Sequence, residues 1–153
     1  MQTSYSQYME PAIAGTLYDI SFRRIDSYVV ETDNISPGMG VVLGANKERQ
    51  VKLGAATTSV VAGIALLQAR EQNADGNVIY ADKDTVPVLN KGRAWVPVTG
   101  AVTAGNQAFL VFSGDNRGKW ASAAGDPATA SAITGAKFIT STTGAGLAVV
   151  ELN

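Results

Sequence analysis

Three carboxylates and two indoles are the side chains whose types and spacing come nearest to chemistry in this sequence. Asp82 pairs with Asp84, and Asp75 lies a short way upstream, a set that could flank a glycosidic bond as acid and base. In a polar loop their ordinary role is solvation. Trp95 and Trp120 could stack a sugar or a base, although a tryptophan in a small β protein more often fills a core or anchors an interface. The chain has no histidine and no cysteine, which removes Ser-His-Asp and Cys-His nucleophiles, histidine general bases and the usual zinc ligand sets. No phosphate-binding G-x-x-x-x-G-K-[ST] loop, G-x-S-x-G elbow or EF-hand loop occurs. Gly38-Met39-Gly40 with Gly44 misses the G-x-G-x-x-G spacing by one residue and opens no helix. The sequence therefore assigns no catalytic, cofactor-binding or metal-ligating residue, and binding area is the main resource it offers.

Composition narrows the partners. The 153 residues carry 12 Lys and Arg against 13 Asp and Glu, a formal net charge of -1, so no electrostatic footprint for nucleic acid or an anionic membrane is present. At 46% hydrophobic and 16% charged residues the chain can bury a substantial core as one compact domain. The longest apolar run, Ser59 to Ala69, is too short for a membrane span of about 20 residues. No apolar targeting core follows a basic end in the first thirty residues, so the chain is expected to stay where it is made. Sixteen glycines, with many Ala, Ser and Thr, suit short strands and turns better than a helical bundle.

The elements follow from the turn signals. Thr85 to Leu89, a turn at Asn90-Lys91-Gly92, Arg93 to Val98, a second turn at Ala104-Gly105-Asn106 and Gln107 to Phe112 read as a β-meander. Pro87 and Pro97 have no N–H for a ladder and are expected at an edge, a bulge or a barrel rim. Further strands are expected at Ser27 to Val30, Gly40 to Gly44, Arg49 to Leu53, Thr57 to Leu67, Ala136 to Thr140 and Leu147 to Leu152, with Lys119 to Ala121 returning from the Ser113 to Gly118 turn. The fold class is all-β: a small barrel or sandwich of short antiparallel strands and hairpins. Residues 1–20 read as an extended N-terminal arm and residues 21–153 as a single β-rich domain. The arm is either a loosely packed end or a segment that reaches over a neighbour, with Tyr5, Tyr8 and Tyr18 as anchors. Arg23 and Arg24 read as a solvated pair. Ile35 to Leu43 is echoed 67 residues later by Val102 to Leu110, through either a shared turn recipe or a duplication.

The opening MQTSYSQYMEPAIAGTLYD, the run Gly63-Ile64-Ala65-Leu66, the block TVPVLNKGRAWVPVTGAVTAGN and the ending Gly146 to Leu152 together resemble the structural cement, or decoration, proteins of tailed bacteriophage capsids. The resemblance spans nearly the whole chain and rests on the order and spacing of structural motifs. It implies a non-enzymatic virion protein that sits on the outer surface of the major capsid protein lattice and stabilises the shell against the pressure of packaged DNA. It also implies a homo-oligomer, a trimer in preference to a dimer, made in the host bacterial cytoplasm, with no cofactor, nucleic-acid or membrane partner. Tyr5, Tyr8, Tyr18, Trp95 and Trp120 are the candidate interface residues. The competing expectation is a carbohydrate-binding or host-adhesion β module displayed on the virion.

Overall fold

A computed structural model describes residues 12–68, 72–125 and 128–153. All nine of its regular elements are strands: β1 Arg24–Val30, β2 Gly40–Leu43, β3 Gln50–Lys52, β4 Val61–Ala65, β5 Thr85–Val98, β6 Gln107–Val111, β7 Trp120–Ala121, β8 Ala130–Phe138 and β9 Gly146–Leu152. The pairing order is β1-β3-β2-β4-β5-β7-β6-β8-β9, and two further pairings, β1 with β5 and β5 with β9, close it into two five-stranded rings. The rings share β5. Its first half completes a barrel with β1 to β4, and its second half founds another with β6 to β9.

The expected meander is therefore wrong at its centre. Residues 90–92 are not a turn: β5 runs unbroken for 14 residues, with Val86, Val88, Ala94, Val96 and Val98 all buried on one alternating face. Gly92 is the point that local pattern misread. Its φ of 123° lies where glycine is favoured, and a Cβ there would stand 3.0 Å from that of Arg23, at the place where the chain crosses toward β1. Nor is β6 the neighbour of β5, because β7 comes between them. The antiparallel expectation also needs two exceptions, since β1 with β3 and β5 with β7 pair in parallel.

Both prolines lie on this most central strand. Trp95 exchanges bonds with residues 15 and 16 on one flank of β5, and successive residues of a strand aim their backbone groups to opposite flanks. Pro97 therefore turns its missing N–H to the same flank, past the end of that partner. Pro87 faces the β4 flank, where its carbonyl accepts from Leu66 N–H at 2.8 Å. Pro97 removes no ladder bond, whereas Pro87 leaves out the return bond to Leu66, whose carbonyl accepts from the Tyr80 hydroxyl at 2.7 Å instead.

The sequence echo has a structural counterpart in the two rings. Ile35 exchanges both backbone bonds with Tyr80 at 2.9 and 2.8 Å, and Val102 does so with Thr142 at 3.2 and 3.0 Å. Gly38 N–H donates to Ala65 O at 2.7 Å, and Gly105 N–H to Phe138 O at 2.8 Å. Glu31 N–H donates to Val51 O at 2.8 Å, and Thr99 N–H to Trp120 O at 2.9 Å. Matching bonds at matching places favour a duplicated unit over a shared turn recipe.

Two hydrophobic clusters fill the rings, one around Val30, Val51, Tyr80 and Val86 and the other around Leu110, Trp120, Phe138 and Val150. Glycine notches let them meet closely. A Cβ on Gly40 would stand 2.3 Å from Leu110 Cδ1, and one on Gly54 would stand 2.3 Å from Phe112 Cδ1. The pair Arg117 Nη2 to Asp33 Oδ1, at 2.5 Å, joins the β6–β7 turn to the first barrel, while the other oxygen of Asp33 accepts from Leu53 N–H.

Candidate interaction surface

Residues 12–25 form the part of the described chain that both holds to the body and stays uncovered. Thr16 turns back on Ile13, through its N–H at 3.1 Å and its hydroxyl at 2.7 Å to the Ile13 carbonyl. Gly15 makes the turn possible, because its φ is 82° and a Cβ would lie 2.6 Å from that of Pro37. The segment then runs antiparallel to β5: Gly15 N–H donates to Trp95 O (2.8 Å), Trp95 N–H to Thr16 O (2.9 Å) and Tyr18 N–H to Arg93 O (3.0 Å), with Leu17 opposite Ala94. Three ladder bonds fix it as an added strand.

Charge fastens its end. Arg93 donates from Nε to Glu151 at 2.5 Å and from Nη1 to Asp19 at 3.1 Å, and Lys137 reaches the other Glu151 oxygen at 3.2 Å. Hydrogen bonds from Arg93, then Lys137, outweigh desolvation and hold the Glu151 carboxyl below its ordinary value. For Asp19 the largest cause of lowering is the Ser21 hydroxyl, followed by the Ser21 N–H and Arg93. The Arg93 guanidinium is raised, first by Glu151.

Above this anchorage lies an apolar strip. Ile20 is 93% exposed, Phe22 76%, Ile13 62%, Tyr18 43% and Ile25 40%, all within thirteen residues. Lys91 Nζ stands 5.4 Å from the Phe22 ring. Two grooves flank the strip, one of 410 Å³ beside Ile13, Pro37 and Val78 and one of 420 Å³ beside Leu17, Ile25 and Pro87. Exposed large apolar side chains concentrated in one segment point to an association surface more than single scattered ones do.

The expected residues divide accordingly. Tyr18 sits on this strip and packs edge-on against half-buried Trp95, ring centroids 5.7 Å apart at 68°. Tyr5 and Tyr8 lie outside the described residues. Trp120 is corrected from interface to core: it is fully buried, and its indole N–H donates to Gly38 O at 3.3 Å. Ile13, Ile20 and Phe22 escaped the sequence reading; Tyr18, Ile20 and Phe22 alternate with Asp19, Ser21 and Arg23, but the chain bends at residues 20–22, where Ser21 N–H donates back to Asp19 at 3.0 Å, and is not a strand there. The carboxylates do local work. Asp82 accepts from Thr32 N–H at 3.1 Å and Asp84 from Ala81 N–H at 2.8 Å. Among the described residues no group of three or more His, Cys, Asp or Glu stands close enough to hold a metal ion, and no helix is long and apolar enough to cross a membrane.

The family model for structural cement protein (E217 gp24/Pam3 gp6) matches residues 1–153. The chain belongs to the structural cement protein family. The cement protein is accordingly a structural component of a phage virion, with a decorating and stabilising role on the capsid. Its fold has a solved counterpart in a chain from the capsid of Myoviridae phage XM1, which covers 100% of this cement protein and 97% of its own length at 20% identity, with a TM-score of 0.80. A chain from the head fiber gp8.5 N base of bacteriophage phi29 aligns over 86% of the cement protein and 95% of itself at 8% identity, with a TM-score of 0.46. No curated protein matches the chain in sequence.

Proposed function

We propose that this cement protein binds the outer surface of the major capsid protein lattice and holds the shell closed against packaged DNA, without turning over a substrate. The observation that carries the reading is the family match over residues 1–153. The physical features agree with the role. Two fused barrels give a stiff body, and the strip from Ile13 to Ile25 offers exposed apolar area. Repetition over a lattice converts weak single contacts into avidity. On this reading the protein is made in the host bacterial cytoplasm and acts as a homo-oligomer, a trimer in preference to a dimer. Of the expected arm, residues 1–20, the part that reaches over a neighbour is residues 1–11, with Tyr5 and Tyr8 as its anchors; residues 15–18 are laddered onto β5 of their own chain and Tyr18 packs on Trp95 there, so they act with residues 21–153 as one body.

Co-sedimentation tests the binding. Purified protein mixed with shells that lack it should pellet with them to a fixed occupancy per capsid subunit. Protein that stays in the supernatant at saturating concentration would overturn the proposal.

A further inference from the structure

The cations of this chain divide by whether a carboxylate answers them. Arg93 has Glu151 and Asp19, Arg117 has Asp33, Lys52 has Glu31 and Lys137 has Glu151. Arg23 and Lys91 are exposed and have no such partner among the described residues. Lys91 is moreover set against a like charge. The pairing of β1 with β5 passes from Ile25 opposite Leu89 to Arg24 opposite Lys91, so Asn90 is a bulge residue and Lys91 falls across from Arg24. Like charges directly opposite on paired strands cost stability, and Asp26, 3.1 Å from Arg24, is the carboxylate bound at this corner. Arg23 packs on the same corner, since a Cβ on Gly92 would stand 3.0 Å from its own. Lys47 and Arg49 also lack a carboxylate, but their turn carries no exposed large apolar side chain. Arg23 and Lys91 stand beside Phe22 and Ile25, both exposed.

We propose that Arg23 and Lys91, with Phe22 and Ile25 beside them, are the docking point for a segment of the major capsid protein that carries a carboxylate next to an apolar side chain. The inference rests on the capsid-binding reading above and adds the place and the chemistry of the partner. An arriving carboxylate answers two unpaired cations and offsets the repulsion between Lys91 and Arg24, through charge-assisted bonds roughly twice as strong as neutral ones. The Phe22 ring, 5.4 Å from Lys91 Nζ, offers apolar contact next to the charge. Ile25 continues that contact into the 420 Å³ groove it shares with Leu17, Leu67 and Pro87. Apolar cover excludes water from the ion pair, and a pair shielded from water is worth more than one on an open surface.

Charge argues against the other occupants. A twofold contact sets a patch against itself, which would bring Arg23, Arg24 and Lys91 against the same three cations of a second copy, and like charges facing each other across an interface are disfavoured. A nucleic-acid backbone calls for cations spread along many phosphates, whereas Arg93 and Arg117 are already bound to carboxylates. Two free cations at one corner, with apolar side chains beside them, match a single carboxylate on a protein segment.

Lys91→Glu puts a carboxylate across from Arg24 and so separates folding from docking. Its melting temperature should equal or exceed the parent's, while its affinity for shells that lack the protein should fall at least tenfold. Arg23→Glu should weaken shell binding likewise, with an unchanged oligomeric state. Undiminished affinity in either variant, or a lower melting temperature for Lys91→Glu, overturns the proposal. Zero-length carbodiimide coupling on shells names the occupant: Lys91 should form an amide with an Asp or Glu of the capsid protein, and Lys91→Arg, which keeps the charge without a coupling amine, should bind shells and lose that product. A Lys91 amide to a second copy or to Glu10, or no Lys91 amide at all, overturns the proposal. Parent protein that fails to pellet with shells overturns the capsid-binding reading itself, whereas parent and variants that pellet equally overturn the docking point alone.

Discussion

Gly40 shows how much of this molecule turns on absent atoms. It carries no positive φ, and its requirement for glycine comes from Leu110, whose methyl would meet a Cβ at 2.3 Å. Gly40→Ala should therefore destabilise the protein by about 1–3 kcal/mol through overpacking of the seam between the barrels, read as a lower midpoint in urea. The Arg93 cluster makes a second residue-scale prediction. Glu151 has a lower pKa folded than unfolded, so it contributes stability above its unfolded value of about 4.3 and loses it as pH falls through the folded value. Arg93, raised, stays charged throughout. A Glu151→Gln variant should melt below the parent at neutral pH, and the gap should close as pH is lowered beneath about 4. A gap that is constant with pH would show that packing, not charge, is what Glu151 supplies.

Strand β5 is shared by both barrels. One face of a single strand feeds both cores, so inserting one residue between Lys91 and Gly92 should turn Ala94, Val96 and Val98 outward. Soluble, cooperatively folding protein should be lost, whereas the same insertion in the exposed turn at Asp115 should be tolerated, as thermal melts of both variants would show. The arm is the other element to probe. Deleting Met1 to Glu10 should leave the β spectrum intact, because the ladder bonds begin at Gly15. Shell binding should weaken, since a buried aromatic anchor is worth about 2 kcal/mol or more. Binding isotherms on depleted shells decide it, and equal affinities would mark Tyr5 and Tyr8 as idle.

The whole molecule is a pair of equivalent barrels fused through one strand, which makes a stiff tile for a repeated surface. A lattice must lose many contacts together before it opens, so a modest gain at each site accumulates across a shell. Particles that lack the protein should release DNA at lower temperature, or at milder osmotic and chelator stress, than replete ones. Adding the protein back should restore resistance in proportion to occupancy. Identical release profiles with and without it would remove the stabilising role from the proposal.

The all-β class and most of the strands are legible in local pattern, because β-branched runs between Gly, Asn, Asp and Pro turns act locally: β2, β4, β6, β7 and β9 stand close to where those signals put them. It also determined the echo between Ile35 to Leu43 and Val102 to Leu110, since equivalent turns need equivalent residues. Tertiary structure decided what local pattern cannot express. Asn90-Lys91-Gly92 has turn composition, yet pairing with β1 at Lys91 and with β9 at Gly92 keeps it within one strand. Trp120 has the chemistry of an anchor, yet its place between two barrels buries it. The exposure of Ile20 and Phe22 was illegible for the same reason. Whether a side chain or a backbone group is covered depends on strands that arrive from distant parts of the chain, and only closure of the two rings decides where those strands stop.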